Sequence, residues 1–330
     1  MRFVDNRGIT DPRINLALEE YVLRRRFPGE ECLLFYVNEP SIIIGRNQNT
    51  VEEIDPDAVR ARGIHVVRRI SGGGTVYHDL GNLNFSFIAP YAFERFNRYE
   101  EFTRPVVAVL RALGVPAELS GRNDIVADGR KISGNAQFVS GDRMFSHGTL
   151  LFDSDLDVIP TVLTPKPGKV ESKGHKSVRS RVANISEFLS APVTLAEFRG
   201  RLLDAIFGDR DHLPLLELDE ADWEAVRALS AEKYATWDWN IGKSPPCNVQ
   251  RARRFPAGEV DARIDVRDGR IAGLRFFGDF IGREEVAALE ARLVGVPYDS
   301  EALDAALRSV DLTAYFGAVT REELVELLCG

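Results

Sequence analysis

The sequence predicts an α+β protein, with a mixed β-sheet flanked by helices and a small α/β domain after it. Three observations carry this expectation. Strand-like and helix-like stretches interleave without the regular βαβ rhythm of a doubly wound sheet. A glycine run, Ser71-Gly72-Gly73-Gly74-Thr75, leads from one strand-like stretch straight into another rather than into a helix. Beyond Pro245-Pro246 the pattern restarts with strict apolar alternation, which places a boundary there and divides the chain into 1–246 and 247–330.

The elements follow in order. Asp11 caps a helix that starts at Pro12 and keeps Ile14, Leu18, Tyr21 and Val22 at helical spacing through residue 26. The runs 32–37 and 41–45 flank Asn38-Glu39-Pro40 and suggest a strand pair. A polar loop, Gly45 to Asn49, precedes a short helix begun by Asp55-Pro56. Ile64 to Val67 form a strand that ends in Arg68 and Arg69, at the mouth of the glycine run. The glycines let the backbone turn tightly and approach a ligand closely, so the loop is a candidate seat for an anion. Val76, Tyr77, Leu83, Phe85 and Phe87 resume as strand. Residues 99–113 make an amphipathic helix, and Asp128-Gly129 turns a hairpin that puts Lys131 on a strand. Residues 144–152 carry His147, Gly148 and Thr149 on a further strand. Helices follow at 194–207 and 219–233. In the second domain a hairpin turns at Asp268-Gly269, between Val260–Val266 and Ile271–Phe276, and helices cover 282–294, 300–309 and 320–328.

The formal net charge of −8 argues against a general nucleic-acid or membrane-surface binder. Cys32, Cys247 and Cys329 are odd in number and far apart, without a CxxC, which favours a reducing cytoplasm. No signal peptide and no membrane span is expected. Neither HExxH nor a Cys/His cluster is present, which leaves no zinc motif, and no G-x-S-x-G elbow occurs. Between Lys166 and Arg181 six basic residues face one acid, Glu171. Such a run is commonly a solvated loop; in an acidic chain it also suits a flap over a polyanion, and it lacks the aromatics of a single-strand binder. Lys131, a compact charge on a rigid strand, suits stabilising phosphoryl oxygens.

Four motifs in order, RRISGGGTVYHDLGNLNFSF (68–87), SGRNDIVADGRKISGNAQ (120–137), HGTLLF (147–152) and KGHKSVRSRVANI (173–185), resemble the lipoate–protein ligases. The likeness runs the length of the chain, with a tail similar to the accessory domain of the bacterial two-domain form. It implies a biotin/lipoate protein ligase-like catalytic domain and two half-reactions: lipoate and ATP give lipoyl-adenylate and pyrophosphate, then a lysine of a lipoyl domain takes the acyl group and AMP leaves.

The resemblance also implies site residues. Lys131 matches the essential lysine, placed against both the lipoyl carboxyl and the α-phosphate. Arg69, Gly74, Thr75, Val76 and Tyr77 match the loop that binds ATP. Asn123 and Asp124 match a motif near the phosphates, with Asp124 near Mg²⁺ carried by ATP. Lys173, Ser177 and Arg179 match the loop that covers the adenylate. For lipoate the matches are Tyr36, Arg69, Ser71, Gly72, Gly73, His78, Lys131, Ser133, Gly134, His147, Gly148 and Thr149. Tyr36 stands where some relatives carry Trp. The implied partners are lipoyl-domain proteins, either 2-oxoacid dehydrogenase E2 subunits or the glycine-cleavage H protein, met by a cytoplasmic monomer that binds no nucleic acid or membrane. Two other readings stay open: an ATP-independent octanoyl or lipoyl transferase using a cysteine, and a ligand-sensing repressor, for which no helix-turn-helix extension is evident.

Overall fold

The computed structural model describes residues 1–24, 30–121, 123–163, 181–241, 249–267 and 269–329, with only the backbone at 51 and 52. Lys173, Ser177 and Arg179 lie outside the described residues, as do Pro245-Pro246, Cys247 and Asp268. The chain forms two compact units, one of Met1–Ile43, Val51–Val67 and Val76–Asn240, the other of Ile44–Thr50, Arg68–Thr75 and Ile241–Gly330. The polar loop after the second apolar run and the glycine run thus group with the C-terminal part of the chain.

In the first unit a seven-stranded sheet contains β1 (Arg2–Val4), β2 (Cys32–Val37), β6 (Asn82–Pro90), β7 (Ala117–Ser120), β8 (Asp124–Ala127), β9 (Arg130–Ser140) and β10 (Arg143–Leu151), in the order β1-β2-β6-β10-β9-β8-β7. β1 and β2 run parallel and the other neighbours antiparallel, so the sheet is mixed. A three-stranded sheet, β4-β3-β5, joins β3 (Ser41–Ile44), β4 (His65–Arg68) and β5 (Val76–His78). The expected pairing of the 32–37 and 41–45 runs does not occur. Both edges of β2 are taken, by β1 and β6, which leaves β3 to pair with β5.

The helices are α1 (Pro12–Arg24), α2 (Thr50–Glu53), α3 (Pro56–Ala61), α4 (Tyr99–Ala112), α5 (Ile159–Val162), α6 (Leu195–Phe207), α7 (Glu220–Leu229), continued by a π-turn at Ser230–Tyr234, and α8 (Trp237–Asn240). Asp55 starts α3 by accepting the Asp57 and Ala58 N–H groups, with Pro56 in the first turn. Alternation along the strands sends Phe35, Phe85, Phe87, Ile125 and Met144 to one face, where Phe102, Val106 and Leu110 of α4 and Phe198 and Leu202 of α6 close the core. Helix α1 lies on the other face, joined to β10 through Glu19 and His147.

The second unit contains an antiparallel sheet, β11 (Val249–Phe255), β12 (Gly258–Arg267) and β13 (Arg270–Gly278), packed on α9 (Val286–Leu293), α10 (Ser300–Leu307), α11 (Thr313–Phe316) and α12 (Arg321–Cys329). A register shift at Asp265/Val266 puts both Ile271 and Leu274 in the core although they are three apart. Strand β11 was not foreseen, because Gln250 to Arg254 are all exposed and show no alternation. Among the described residues no helix is long and apolar enough to cross a membrane.

Candidate active site

The register of the large sheet sets a row of side chains across five strands. Tyr36 pairs with Asn84, Asn84 with Thr149, and Asp124 with Gly134. The Gly134 N–H donates to Thr149 Oγ1 at 3.2 Å and closes the row. Cross-strand partners share a face, so Tyr36, Asn84, Thr149, Gly134 and Asp124 lie on the α1 side of the sheet, away from the aromatic core. Exposure falls along the row. Asp124 is about one-third exposed, whereas Thr149, Asn84 and Tyr36 are buried.

Lys131 completes the row from the turn side. Asp128 and Gly129 both take positive φ, 47° and 74°, as a two-residue hairpin turn requires, and Lys131 follows on β9. A register shift at Ile125/Val126 places Lys131 opposite Val126. Its backbone is fixed from the other side as well: its N–H donates to Arg181 O at 2.8 Å and its carbonyl accepts from Ala183 at 3.0 Å. The downstream end of the basic stretch is therefore pinned beside Lys131. The ammonium reaches forward along its own strand, over Gly134, to Asp124 Oδ1 at 2.8 Å. A Cβ at Gly134 would stand 2.8 Å from Lys131 Nζ and 2.9 Å from Cε, so the ammonium occupies the space that the glycine leaves.

His147 lies one step farther along the same face, opposite Ser86 and Ala136. Its Nδ1 is 2.9 and 3.1 Å from the two oxygens of Glu19, so that nitrogen carries a hydrogen. His78 ends β5, and its Nδ1 meets Asn38 Nδ2 at 3.0 Å. Glu20, the neighbour of Glu19, accepts from Arg24, Lys233 and the Tyr234 hydroxyl. Burial pushes its carboxyl up, but those donors outweigh burial and hold it below the ordinary value of 4.5.

Three expected residues fall on the opposite face. Ser133 pairs with Ile125 and Gly148 with Asn135, both on the core side. Gly148 has a packing reason to be glycine, since its Cβ would meet Asn135 Oδ1 and stand 2.6 Å from Phe85 Cζ. Asn123 lies beside them: its side chain and that of Asn135 each donate to the other's backbone carbonyl. The alternation of Asn82, Asn84 and Ser86 within an apolar strand was a legible sign of a polar face that the motif matches passed over.

The glycine run belongs to the second unit. Arg68 and Arg69 are not open donors at its mouth. Arg68 donates to the Gly45, Arg46 and Gln48 carbonyls at 3.0, 2.9 and 2.6 Å and to Thr50 Oγ1 at 2.6 Å. Burial brings it down to about 10, so it stays charged at neutral pH. Arg69 donates to Ser71 Oγ, Gly72 O and Gly74 O at 3.1, 2.8 and 2.7 Å. Both guanidiniums are buried because each replaces the solvation of loop carbonyls that have no partner strand. Gly73 takes φ 91°, and a Cβ on Gly72 would strike the Phe280 carbonyl oxygen. Thr75 Oγ1 donates to Gln48 Oε1 at 2.9 Å, which ties the run to the polar loop. Val76 and Tyr77 pair with Ile43 and Ile42 in the first unit; burial, helped by Asp79 and Asp155, raises the Tyr77 phenol to about 12.

No cluster of three or more His, Cys, Asp or Glu that could hold a metal occurs among the described residues. Burial pushes the thiols of Cys32 and Cys329 up, away from the thiolate a nucleophile needs.

The first unit thus presents a mixed sheet with a lysine and a carboxylate on its helix-covered face, and the second a small antiparallel sheet packed on helices. The comparisons make the family explicit. Residues 11–207 match the lipoyl protein ligase A/B catalytic domain and residues 244–328 the bacterial lipoate protein ligase C-terminus, so the chain belongs to the lipoate–protein ligases. It is 52% identical to lipoate-protein ligase LplJ of Bacillus subtilis, over 99% of this chain and 100% of that protein. With lipoate–protein ligase 1 of Staphylococcus aureus it shares 49% identity over the same proportions. Among solved structures, Plasmodium falciparum LipL1 in complex with lipoate superposes with a TM-score of 0.83 over 99% of this chain and 98% of that one; at 22% identity it speaks for the fold alone. A bi-partite lipoate protein ligase from Thermoplasma acidophilum, described with its E2 lipoyl domain, matches 75% of this chain and 98% of its own at 32% identity and a TM-score of 0.65. A lipoate-protein ligase A bound with ATP matches 73% and 98% at 32% identity and 0.60.

Proposed function

We propose that this ligase activates lipoate with ATP and transfers the lipoyl group to a lysine of a lipoyl-domain protein. In the first step the lipoate carboxylate attacks the α-phosphorus; the bond to the pyrophosphate oxygen breaks and lipoyl-adenylate forms. In the second the neutral ε-amine of the acceptor lysine attacks the acyl carbon, loses a proton, and AMP leaves with the carboxyl oxygen that had joined it to phosphorus. ATP is needed because a free carboxylate is a poor acyl donor.

The observation that carries this reading is the ammonium of Lys131 lying over Gly134, at the exposed end of a row that becomes buried toward Tyr36. An amphiphile with an anionic head and an apolar tail matches that gradient. The Lys131–Asp124 pair is partly exposed, and such pairs are worth about 0–1 kcal/mol. An incoming carboxylate or phosphate can therefore take the ammonium from Asp124 at small cost. On this reading Lys131 stabilises the charge passing between carboxylate and α-phosphate, and Asp124, released, would offer an oxygen ligand to Mg²⁺ carried by the nucleotide, which would neutralise phosphate charge. Burying four methylenes at about 0.8 kcal/mol each contributes roughly 3 kcal/mol to holding the tail. Arg69, Ser71, Gly72, Gly73, Gly74 and Thr75 shape the nucleotide and lipoate loop, with His78 and His147 beside the acyl chain.

The ATP-bound relative and the relative described with its lipoyl domain support the nucleotide and the class of acceptor. The acceptors are then E2 subunits of 2-oxoacid dehydrogenases or the glycine-cleavage H protein, and we place the reaction in the cytoplasm, carried out by a monomer. Residues 1–246 would hold the chemistry and 247–330 act as accessory domain. Lipoate-dependent exchange of pyrophosphate into ATP tests the first step; a cysteine-dependent transferase would show none.

A further inference from the structure

From the buried amides behind β5 we infer that His78 is held as the neutral tautomer with its hydrogen on Nε2, and that Asn38 is the residue that positions this donor. The relay is anchored in backbone, which fixes each carboxamide in turn. Asn6 Oδ1 accepts the Gly8 N–H at 3.3 Å and Asn6 Nδ2 donates to Ile9 O at 2.8 Å, so Asn6 has one orientation only. Asn6 Nδ2 also donates to Asn15 Oδ1 at 3.0 Å. Asn15 Nδ2 faces three acceptors, Ile9 O, Val37 O and Asn38 Oδ1, at 2.9, 3.2 and 2.9 Å; turning it over would set oxygen against two carbonyls. Asn38 must therefore present oxygen to Asn15 and its NH₂ to His78. An NH₂ donor at 3.0 Å needs a lone pair on Nδ1, which leaves the ring hydrogen on Nε2. All four side chains are buried, so water does not substitute for any link.

His147 is arranged the other way, with its Nδ1 hydrogen directed at Glu19. The two histidines assigned to the acyl site thus differ in kind: one offers an Nε2–H donor, the other is oriented through a carboxylate. Among the described residues, the acid that follows His78 and the acid two before its strand partner Ser41 have partners of their own. Asp79 accepts the Gly81 and Asp155 N–H groups at 2.9 and 2.7 Å, Glu39 pairs with His65 at 2.8 Å, and β3 sets uncharged Ser41 opposite His78. Protonating Nδ1 would turn the Asn38 contact into two opposed donors, so this geometry fits the neutral ring with its hydrogen on Nε2.

The role in the reaction rests on the proposed function above, with the Nε2–H directed to lipoate; the tautomer does not. The test uses the full chain with its five histidines labelled with ¹⁵N. Long-range ¹H–¹⁵N spectra of the wild type between about pH 6 and about pH 9, spanning the ordinary imidazole range, are expected to show His78 with a hydrogen on Nε2 alone throughout. A hydrogen on Nδ1, or titration in that range, overturns the inference. The isosteric Asn38→Asp still accepts from Asn15 but offers His78 only an acceptor, so Nδ1 must carry a hydrogen and, while the ring is neutral, Nε2 carries none. The new carboxylate favours the imidazolium, so the comparison is made at the alkaline end, about pH 9, where kcat/KM for lipoate in pyrophosphate exchange is expected to fall about tenfold, the scale of one lost hydrogen bond. The loss should vanish at lower pH, as the imidazolium regains Nε2–H. A moved hydrogen with an unchanged pH profile removes His78 from the site. Absence of lipoate-dependent exchange in the wild type instead removes the proposed function and leaves the tautomer standing.

Discussion

Gly134→Ala separates the position of the Lys131 ammonium from the stability of the fold. The added methyl would stand 2.8 Å from Lys131 Nζ, 2.9 Å from Cε and 3.9 Å from Asp124 Oδ1. Even a close van der Waals contact requires the ammonium to retreat by about 0.6 Å, and a comfortable one by about 1 Å. The group that must move is the far end of a flexible side chain, so the backbone is not forced. Losing the Lys131–Asp124 contact costs about 0–1 kcal/mol at this exposure, and replacing a strand glycine by alanine returns about 0.5–1 kcal/mol. The melting temperature should therefore change little. Chemistry is less tolerant: a misplacement of about 1 Å in a reacting group can cost about 10²-fold. The assay is lipoate-dependent pyrophosphate exchange, read beside thermal unfolding and beside Lys131→Ala, which should lose at least about 10²-fold. A variant that melts like the wild type and loses most of its exchange supports the site. Exchange within about threefold of wild type, on the same scale, would refute the idea that the ammonium's place over Gly134 matters.

Other substitutions and substrates probe separate parts of the account. Gly72→Ala sets a methyl against the backbone carbonyl of Phe280, which cannot swing aside, so overpacking should destabilise the fold by about 1–3 kcal/mol; an unchanged unfolding curve in denaturant would contradict the packing described. Glu20 is held below its ordinary 4.5 by Lys233, Tyr234 and Arg24, so its stabilisation is present above pH 4.5 and is lost as pH falls through the folded-state value. Glu20→Gln should accordingly melt below wild type at neutral pH, with the gap closing below pH 4.5; a gap that persists undiminished into acid would show the shift to be absent. Octanoate should be accepted as the weaker substrate, because an apolar tail pocket discriminates by only about 1–3 kcal/mol; equal or better turnover in direct competition with lipoate would reverse that expectation.

What could be read from the sequence was local. Asp128-Gly129 announced a two-residue turn because positive φ is costly elsewhere, and it placed Lys131 on its strand. Proline and aspartate marked the start of α3, and the alternation of Val260 to Ile264 marked β12. Pairing between distant segments was not legible. Nothing in the 32–37 run says that both its edges are already occupied, and β11 hides because an exposed edge strand has no apolar period. The site shows the same division. The place of Lys131 on β9 was legible from the turn before it. The facing of Ser133 and Gly148 depends on register and could not be counted along one strand. The backbone bonds of Arg68 and Arg69 were not legible, because a sequence does not say which backbone carbonyls lack a strand partner. The amide relay behind His78 joins residues 6, 15, 38 and 78, whose nearness only the fold creates.

The most direct measurement follows one oxygen atom. Lipoate labelled with ¹⁸O in both carboxyl positions would be supplied with unlabelled ATP and an apo lipoyl-domain protein, and the released AMP weighed by mass spectrometry. If Lys131 serves a carboxylate that bonds to the α-phosphorus, each lipoyl transfer leaves one ¹⁸O on AMP. Lipoylated acceptor formed with AMP free of label would contradict the acyl-adenylate chemistry on which the reading of this site depends.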